Sequence, residues 1–179
     1  MALSEGFFNA LPEIDGTVRR GTLLLQSEGV LYPSLALEML REGVGCRPEF
    51  VSRGYGITGI QLGEREVPLT TGGQMLINFR GPPRSFQYVS AVDVIRGRLP
   101  ADTFRDKYVL VGTSAAGLLD LRSTPFSPVF PGVEINANII DNVLAGDAFV
   151  HDVIIEFAYT LLSVAAGGLL LSAALAWLS

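Results

Sequence analysis

Polar side chains at the ends of apolar runs are where an α/β chain does its chemistry, because ligands bind at the carboxyl ends of its strands. Three such places stand out in this sequence. In Ile77-Asn78-Phe79-Arg80-Gly81-Pro82 a carboxamide and a guanidinium follow an apolar strand. They suit ligand binding at a strand end, and they equally suit hydrogen bonds that tie down the turn. The run Val111-Gly112-Thr113-Ser114-Ala115-Ala116-Gly117-Leu118-Leu119-Asp120, then Thr124-Pro125, puts a Gly-rich turn after an apolar strand. Such a turn can hold phosphate on backbone N–H groups, yet the Gly-Lys-Ser/Thr ending and the three-glycine dinucleotide spacing are both missing. A loop shaped by hydrogen bonds of Asp120 and Thr124 fits better. In Pro131 to Asn142, the side chains of Glu134, Asn138, Asp141 and Asn142 fall near one helix face. They could coordinate a cation or a polar ligand, but no acidic loop of calcium-binding type is present. A solvated face is the plainer expectation, since negative charge near a helix start is favourable without any ligand. The candidate ligand-binding residues are therefore Asn78, Arg80, Asp120, Asn136 and Asn138.

Catalytic arrangements are not legible. Ser114 and Ser123 lack the Gly-x-Ser-x-Gly setting of a nucleophile elbow, and His151 is the sole histidine. Asp93, Asp106 and Asp120 show no spacing that pairs them as acid and base. Cys46 is the sole cysteine, which excludes an internal disulfide and a cysteine-based zinc site. The expectation is a non-enzymatic chain with no metal and no cofactor.

The elements that must position these residues alternate. Asp15-Gly16 is a turn signal opening strand material at 17–20 and 22–27. Tyr32 to Leu40 reads as a helix with Pro33 in its first turn and Gly43 as its stop. Residues 56–69 read as a hairpin turning at Gly63-Glu64, and 74–79 as a further strand broken at Gly81. Ser90 with Asp93 resembles a capping box on a short helix ending near Gly97. Lys107 to Gly112 has the apolar run of a central buried strand. A loop over 112–132 leads to a helix from Val133 to Leu144, with 133, 137, 140 and 144 as its apolar face. Strands interleaved with helices indicate an α/β domain with a mixed sheet and flanking helices.

The last stretch is different material. Phe157 to Ser179 carries no charge, and all 13 Lys and Arg precede it, as do all the acidic residues, Glu156 being the last. At ~1.5 Å per residue such a helix spans the ~30 Å hydrocarbon core of a bilayer. Gly167-Gly168 and scattered Ala and Ser offer the small-residue surface that membrane helices pack with. Tyr159 and Trp177 lie near its ends, where amphipathic rings favour the interfaces. The nearest basic residue upstream is Arg122, so the helix lacks the Lys and Arg that gather on cytoplasmic flanks and the preceding domain is expected outside. Residues 1–8 have neither the basic n-region nor the apolar run of a signal peptide. A net charge of −5 without a basic cluster argues against nucleic acid.

The order of the motifs carries a resemblance. Gly6-Phe-Phe-Asn with Asp15-Gly16 and Arg19-Arg20, Tyr32-Pro-Ser-Leu-Ala-Leu-Glu38, Ile77 to Pro82 and Ser90-Ala-Val-Asp-Val94 resemble the type 2 CHASE sensor domain. So do Phe104 to Ala115, Gly117-Leu-Leu-Asp120, Thr124-Pro125 and Pro131 to Gly146. The resemblance implies an extracytoplasmic input domain of bacterial transmembrane receptors, whose outputs include adenylate or guanylate cyclases, histidine kinases and Ser/Thr kinases. It assigns no binding residues. Such domains ordinarily start with a membrane helix and an earlier α/β half, so the resemblance also implies a fragment, with export supplied from upstream.

These readings combine into one expectation. Residues 1–150 form a partial extracytoplasmic sensor domain and 153–179 a transmembrane helix in the inner (plasma) membrane. The partners expected are the membrane and a small-molecule or envelope signal, with a homodimer through the membrane helix open to it. The alternative is part of a membrane-bound adenylate or guanylate cyclase or kinase whose catalytic domain lies beyond residue 179. A third is an enzyme-like domain acting on a periplasmic small molecule.

Overall fold

The computed structural model describes residues 3–52, 56–70, 72–113, 120–149 and 153–178. It divides into two units, Met1–Phe149 and Val150–Ser179. The expected Gly-rich turn at 114–119 and His151 lie outside the described residues.

The first unit is mixed α/β, as its sequence pattern indicates. Its strands form small antiparallel sheets. β1 (Arg20–Thr22) pairs with β7 (Gln74–Leu76), and β2 (Leu24–Ser27) with β3 (Val30–Pro33). β4 (Glu49–Ser52), β5 (Ile57–Leu62) and β6 (Arg65–Pro68) form a meander, and β8 (Leu121–Thr124) pairs with β9 (Ser127–Pro131). The hairpin turning at Gly63-Glu64 is where its alternating residues put it: Ile60, Leu62 and Val67 are buried, while Glu66 on the other face is not. The helices are α1 (Leu35–Val44), α2 (Ala91–Ile95) and α3 (Gly132–Ala145).

The helix ends follow local chemistry. Ser34 caps α1, its hydroxyl accepting from the Leu37 N–H at 3.2 Å. Pro33, which has no N–H to give, ends β3 instead of opening the helix, and Gly43 lies inside α1. Gly45 and Gly146 end α1 and α3 with φ of 70° and 69°, a left-handed cap that side chains other than Gly adopt at a cost. Ser90 precedes α2 but makes no side-chain cap bond, and the Asp93 carboxylate, which would complete the box, turns instead to Arg98 at 3.2 Å.

Leu37 and Leu40 of α1, Ile135 and Ile139 of α3, Met75 and Phe130 from the strands, and Leu23 between β1 and β2 are almost wholly buried in one core. Each such side chain contributes about 1.5–3 kcal/mol by leaving water. Gly21 lets β1 approach α3 closely, since a methyl there would run into Ile139.

Three expectations are corrected. The loop over 112–132 contains the hairpin β8–β9, whose turn is closed by Thr124 and Ser127. The run 107–112 is no buried central strand: it pairs with no other strand among the described residues, and Val111 is 92% exposed. On α3 the buried apolar residues are Ile135, Ile139, Ile140 and Val143, a face rotated from the one drawn through 133 and 137. The reason for that rotation is polar.

The second unit is α4 (Val153–Leu178), with Phe157–Trp177 at a mean hydropathy of 1.8 and no part of that stretch buried. It is long and apolar enough to cross a membrane.

Candidate functional site

Glu134, Asn138 and Asn142 stand one helical turn apart along α3 and are 2%, 1% and 0% exposed. This overturns the solvated face. The row is buried because it faces main chain that no strand pairs. Residues 78–88 run past α3 outside any helix or strand, and their N–H and C=O groups need partners. Asn142 supplies two, its carboxamide accepting from the Asn78 N–H at 2.8 Å and donating to the Asn78 carbonyl at 2.9 Å. Asn138 accepts from the Arg80 N–H at 2.9 Å and donates to the Glu134 carbonyl at 2.8 Å. Glu134 accepts from the Arg84 and Ser85 N–H groups, both at 2.9 Å, and from the Tyr88 hydroxyl at 2.8 Å. For the first step the spacing is commensurate: four helical residues rise ~6 Å and two extended ones ~6.6 Å, so Asn142 and Asn138 meet the alternate residues Asn78 and Arg80, whereas Glu134 meets the turn beyond, at Arg84 and Ser85. Phe79, between Asn78 and Arg80, points the other way and packs edge-on against Phe130 with ring centroids 5.6 Å apart.

A charged cluster closes the far end. The Arg80 guanidinium holds Asp147 with both terminal nitrogens, at 2.5 and 2.9 Å, and reaches Asp141 through Nε. Asn78 donates to the same Asp147 carboxylate at 3.3 Å. The hydrogen bonds to Asp147, then to Asp141, push Arg80 further above its ordinary range, and Arg80 in turn holds Asp147 below the usual carboxylate value. At the other end burial, then the bond to Glu134, pushes the Tyr88 hydroxyl up, so it remains a donor. Asp147 immediately follows the Gly146 cap, and Phe149 forms an antiparallel bridge to Leu76. The chain leaving α3 is therefore fastened at two points to β7 and the stretch after it.

The five sequence candidates separate. Asn78, Arg80 and Asn138 come together in this row. Asn136 bonds back to the Gly132 carbonyl of its own helix at 3.4 Å and borders a crevice of only about 10 Å³. Asp120 lies at the start of α3, its carbonyl accepting from the Gly132 N–H at 2.8 Å. Tyr88 and Asp147 were not singled out in the sequence. Asp147 did carry a signal, because an acid just past a helix C-terminus opposes the helix dipole unless a cation holds it.

Chemically the row is a clamp. Its acceptors are filled by N–H and O–H donors, and among the described residues no buried side-chain N or O atom lacks a partner. Nor does any group of His, Cys, Asp or Glu among them have a metal-holding arrangement. The α/β unit is clamped in this way at the exit of its last helix, and the chain goes on to a helix long and apolar enough to cross a membrane. The CHASE2 domain model matches residues 2–177. The chain belongs to the CHASE2 domain family. CHASE2 domains are extracellular sensor domains of receptors and are not themselves catalytic. No curated protein and no solved structure matches the chain. In this CHASE2 domain the matched region takes in both the clamp and nearly all of α4.

Proposed function

We propose that this chain is the signal-sensing region of a bacterial transmembrane receptor, with residues 1–150 outside the inner membrane and 153–179 crossing it. In this reading it is a fragment whose output domain, a cyclase or a kinase, lies beyond residue 179. The observation that carries the reading is the fastening of Asp147 to Arg80 and of Phe149 to Leu76 of β7, only a short run of chain before α4. A cue that favours one arrangement of residues 78–88 over another alters the chain entering α4. Such a cue shifts the balance only by its differential affinity for the two arrangements.

Cys46 supplies the test. It is partly exposed and the sole thiol in the chain. In intact cells expressing the chain with its natural upstream sequence, a membrane-impermeant maleimide labels Cys46 if the domain is outside. Labelling only after lysis overturns the reading.

A further inference from the structure

Residues 82–88 belong to no helix or strand, and most of them are exposed. Pro82 and Pro83 have no N–H to give. The next two N–H groups, of Arg84 and Ser85, both go to the Glu134 carboxylate, one to each oxygen. The Tyr88 hydroxyl goes to the same carboxylate. Among the described residues, every hydrogen bond from this segment to another element thus ends on one buried side chain. Bonds within the segment hold it together. The Ser85 hydroxyl donates to the Pro82 carbonyl at 2.7 Å, and the Arg84 guanidinium lies 5.6 Å from the centre of the Tyr88 ring.

Two backbone angles mark the ends of this arrangement. Arg84 has a φ of 73°, a left-handed conformation that a residue with a Cβ adopts at a cost. Gly81 has a φ of 145°, which glycine alone adopts freely. Before Gly81 the chain is held by several groups: Asn142 on Asn78, Asn138 on the Arg80 N–H, and Asp141 and Asp147 on the Arg80 guanidinium. After Gly81 it is held by Glu134.

We propose that residues 82–88 form a strap, hinged at Gly81, that opens from α3 by releasing Glu134 while Asn78 to Arg80 stay seated. Opening breaks three hydrogen bonds to the carboxylate. Against that loss, it relieves Arg84 and returns to water a buried carboxylate whose three partners are all neutral donors. The strap therefore opens before the unit around it unfolds. Its role rests on the sensory reading, to which it adds the moving part: the hinge directly follows Arg80, the residue that holds Asp147 at the exit of α3.

Amide hydrogen exchange on the whole chain in detergent micelles tests the strap, read at Ser85 within it and at Asn78 and Arg80 before the hinge. Corrected for intrinsic rates, Ser85 is expected to exchange at least about ten-fold faster than Arg80, the mark of a separate opening. Arg84→Gly and Arg84→Ala both delete the exposed guanidinium and differ in their freedom at positive φ. Ser85 should be about three-fold or more better protected in the glycine variant, because the left-handed penalty of alanine exceeds the freedom glycine gains on opening. Glu134→Gln should speed Ser85 about ten-fold and leave Asn78 and Arg80 within about two-fold of the parent, since one acceptor oxygen becomes a donor facing donors. The proposal is overturned if Ser85 and Arg80 exchange at one rate in the parent, because the clamp then opens as a single piece. Equal protection of Ser85 in the two Arg84 variants also overturns it, since Arg84 then stores nothing. Either failure leaves the Cys46 labelling result standing, and labelling only after lysis would remove the sensory role without touching the exchange rates.

Discussion

Helices α3 and α4 break the ordinary pattern of a surface helix in opposite directions. α3 buries Glu134, Asn138 and Asn142, whereas α4 exposes Leu161, Leu169, Leu175 and Trp177. Both follow one rule, that a side chain suits its partner. The partner of α3 is main chain lacking a strand, so burial there calls for carboxamides and a carboxylate. α4 suits hydrocarbon, which accepts no hydrogen bonds. Its few hydroxyls fold back on the helix, Ser163 donating to the Thr160 carbonyl and Ser172 to the Gly168 carbonyl, both at 2.8 Å. Residue polarity alone therefore misassigns α3, while it reads α4 correctly as a helix fit to cross a membrane.

The harshest way to break this contrast is Glu134→Leu, which gives α3 the composition of α4 at one point. It strands the Arg84 and Ser85 N–H groups and the Tyr88 hydroxyl. At about 1–3 kcal/mol for each unsatisfied buried donor, the expected loss is roughly 3 kcal/mol or more. Urea unfolding of the chain in micelles measures it. A change within about 0.5 kcal/mol, as for an exposed surface site, would restore the solvated face. The reciprocal substitution is Leu169→Arg, which puts a charge near the middle of α4. A cost of roughly 2.5–3.5 kcal/mol to insertion is expected, read as transfer of chain from the membrane pellet to the soluble fraction. If the pellet keeps its share, α4 is not held by lipid.

What the sequence revealed depended on whether a signal was local. Asp15-Gly16, the Gly63-Glu64 turn and the span of α3 up to Gly146 rest on nearby residues, and each stands where its signals put it. Ser34 outranked Pro33 at the start of α1 because an oxygen that caps an N–H beats a residue that merely tolerates the first turn. The polar row failed as a reading because its partners, Asn78 to Tyr88, lie 46 to 64 positions away in sequence. Periodicity puts Glu134, Asn138 and Asn142 on one face but does not say what that face meets. Residues 107–113 failed for a related reason. An apolar run announces that a strand wants covering on both sides, and covering is a property of whatever packs there.

A finer cut at the same contrast is Asn142→Leu against Asn142→Asp. The first removes both bonds to Asn78 and leaves its N–H and C=O without them, for an expected loss of about 2 kcal/mol. The second keeps the acceptor for the Asn78 N–H but sets a carboxylate oxygen against the Asn78 carbonyl. Above the pKa of the new acid it should be at least as damaging as leucine, and it should recover part of its stability on acidification. Leucine shows no such recovery. Parallel pH curves for the two variants would mean that Asn142 acts by shape and not by its two hydrogen bonds.

The smallest effect belongs to Asp147, which is exposed and can rearrange in water. Its pKa is held below the usual carboxylate range by the hydrogen bonds from Arg80. A carboxylate depressed in the fold stabilises it above the unfolded value, about 3.9, and the contribution disappears as pH falls through the folded value. The parent chain should thus lose stability below about pH 4 more steeply than Asp147→Asn, with the gap closing at high salt. Asp15 separates the clamp from any ordinary surface pair. Its carboxylate is lowered to about 2 by Arg19, which it meets at 2.7 Å in the segment before β1. Asp15→Asn should flatten the acid limb in the same manner. Only Asp147→Asn should loosen the chain before α4, seen as faster amide exchange at Ala148 and Phe149. If both variants loosen that stretch equally, Asp147 is one more surface charge, and the fastening of the exit rests on the Leu76–Phe149 bridge alone.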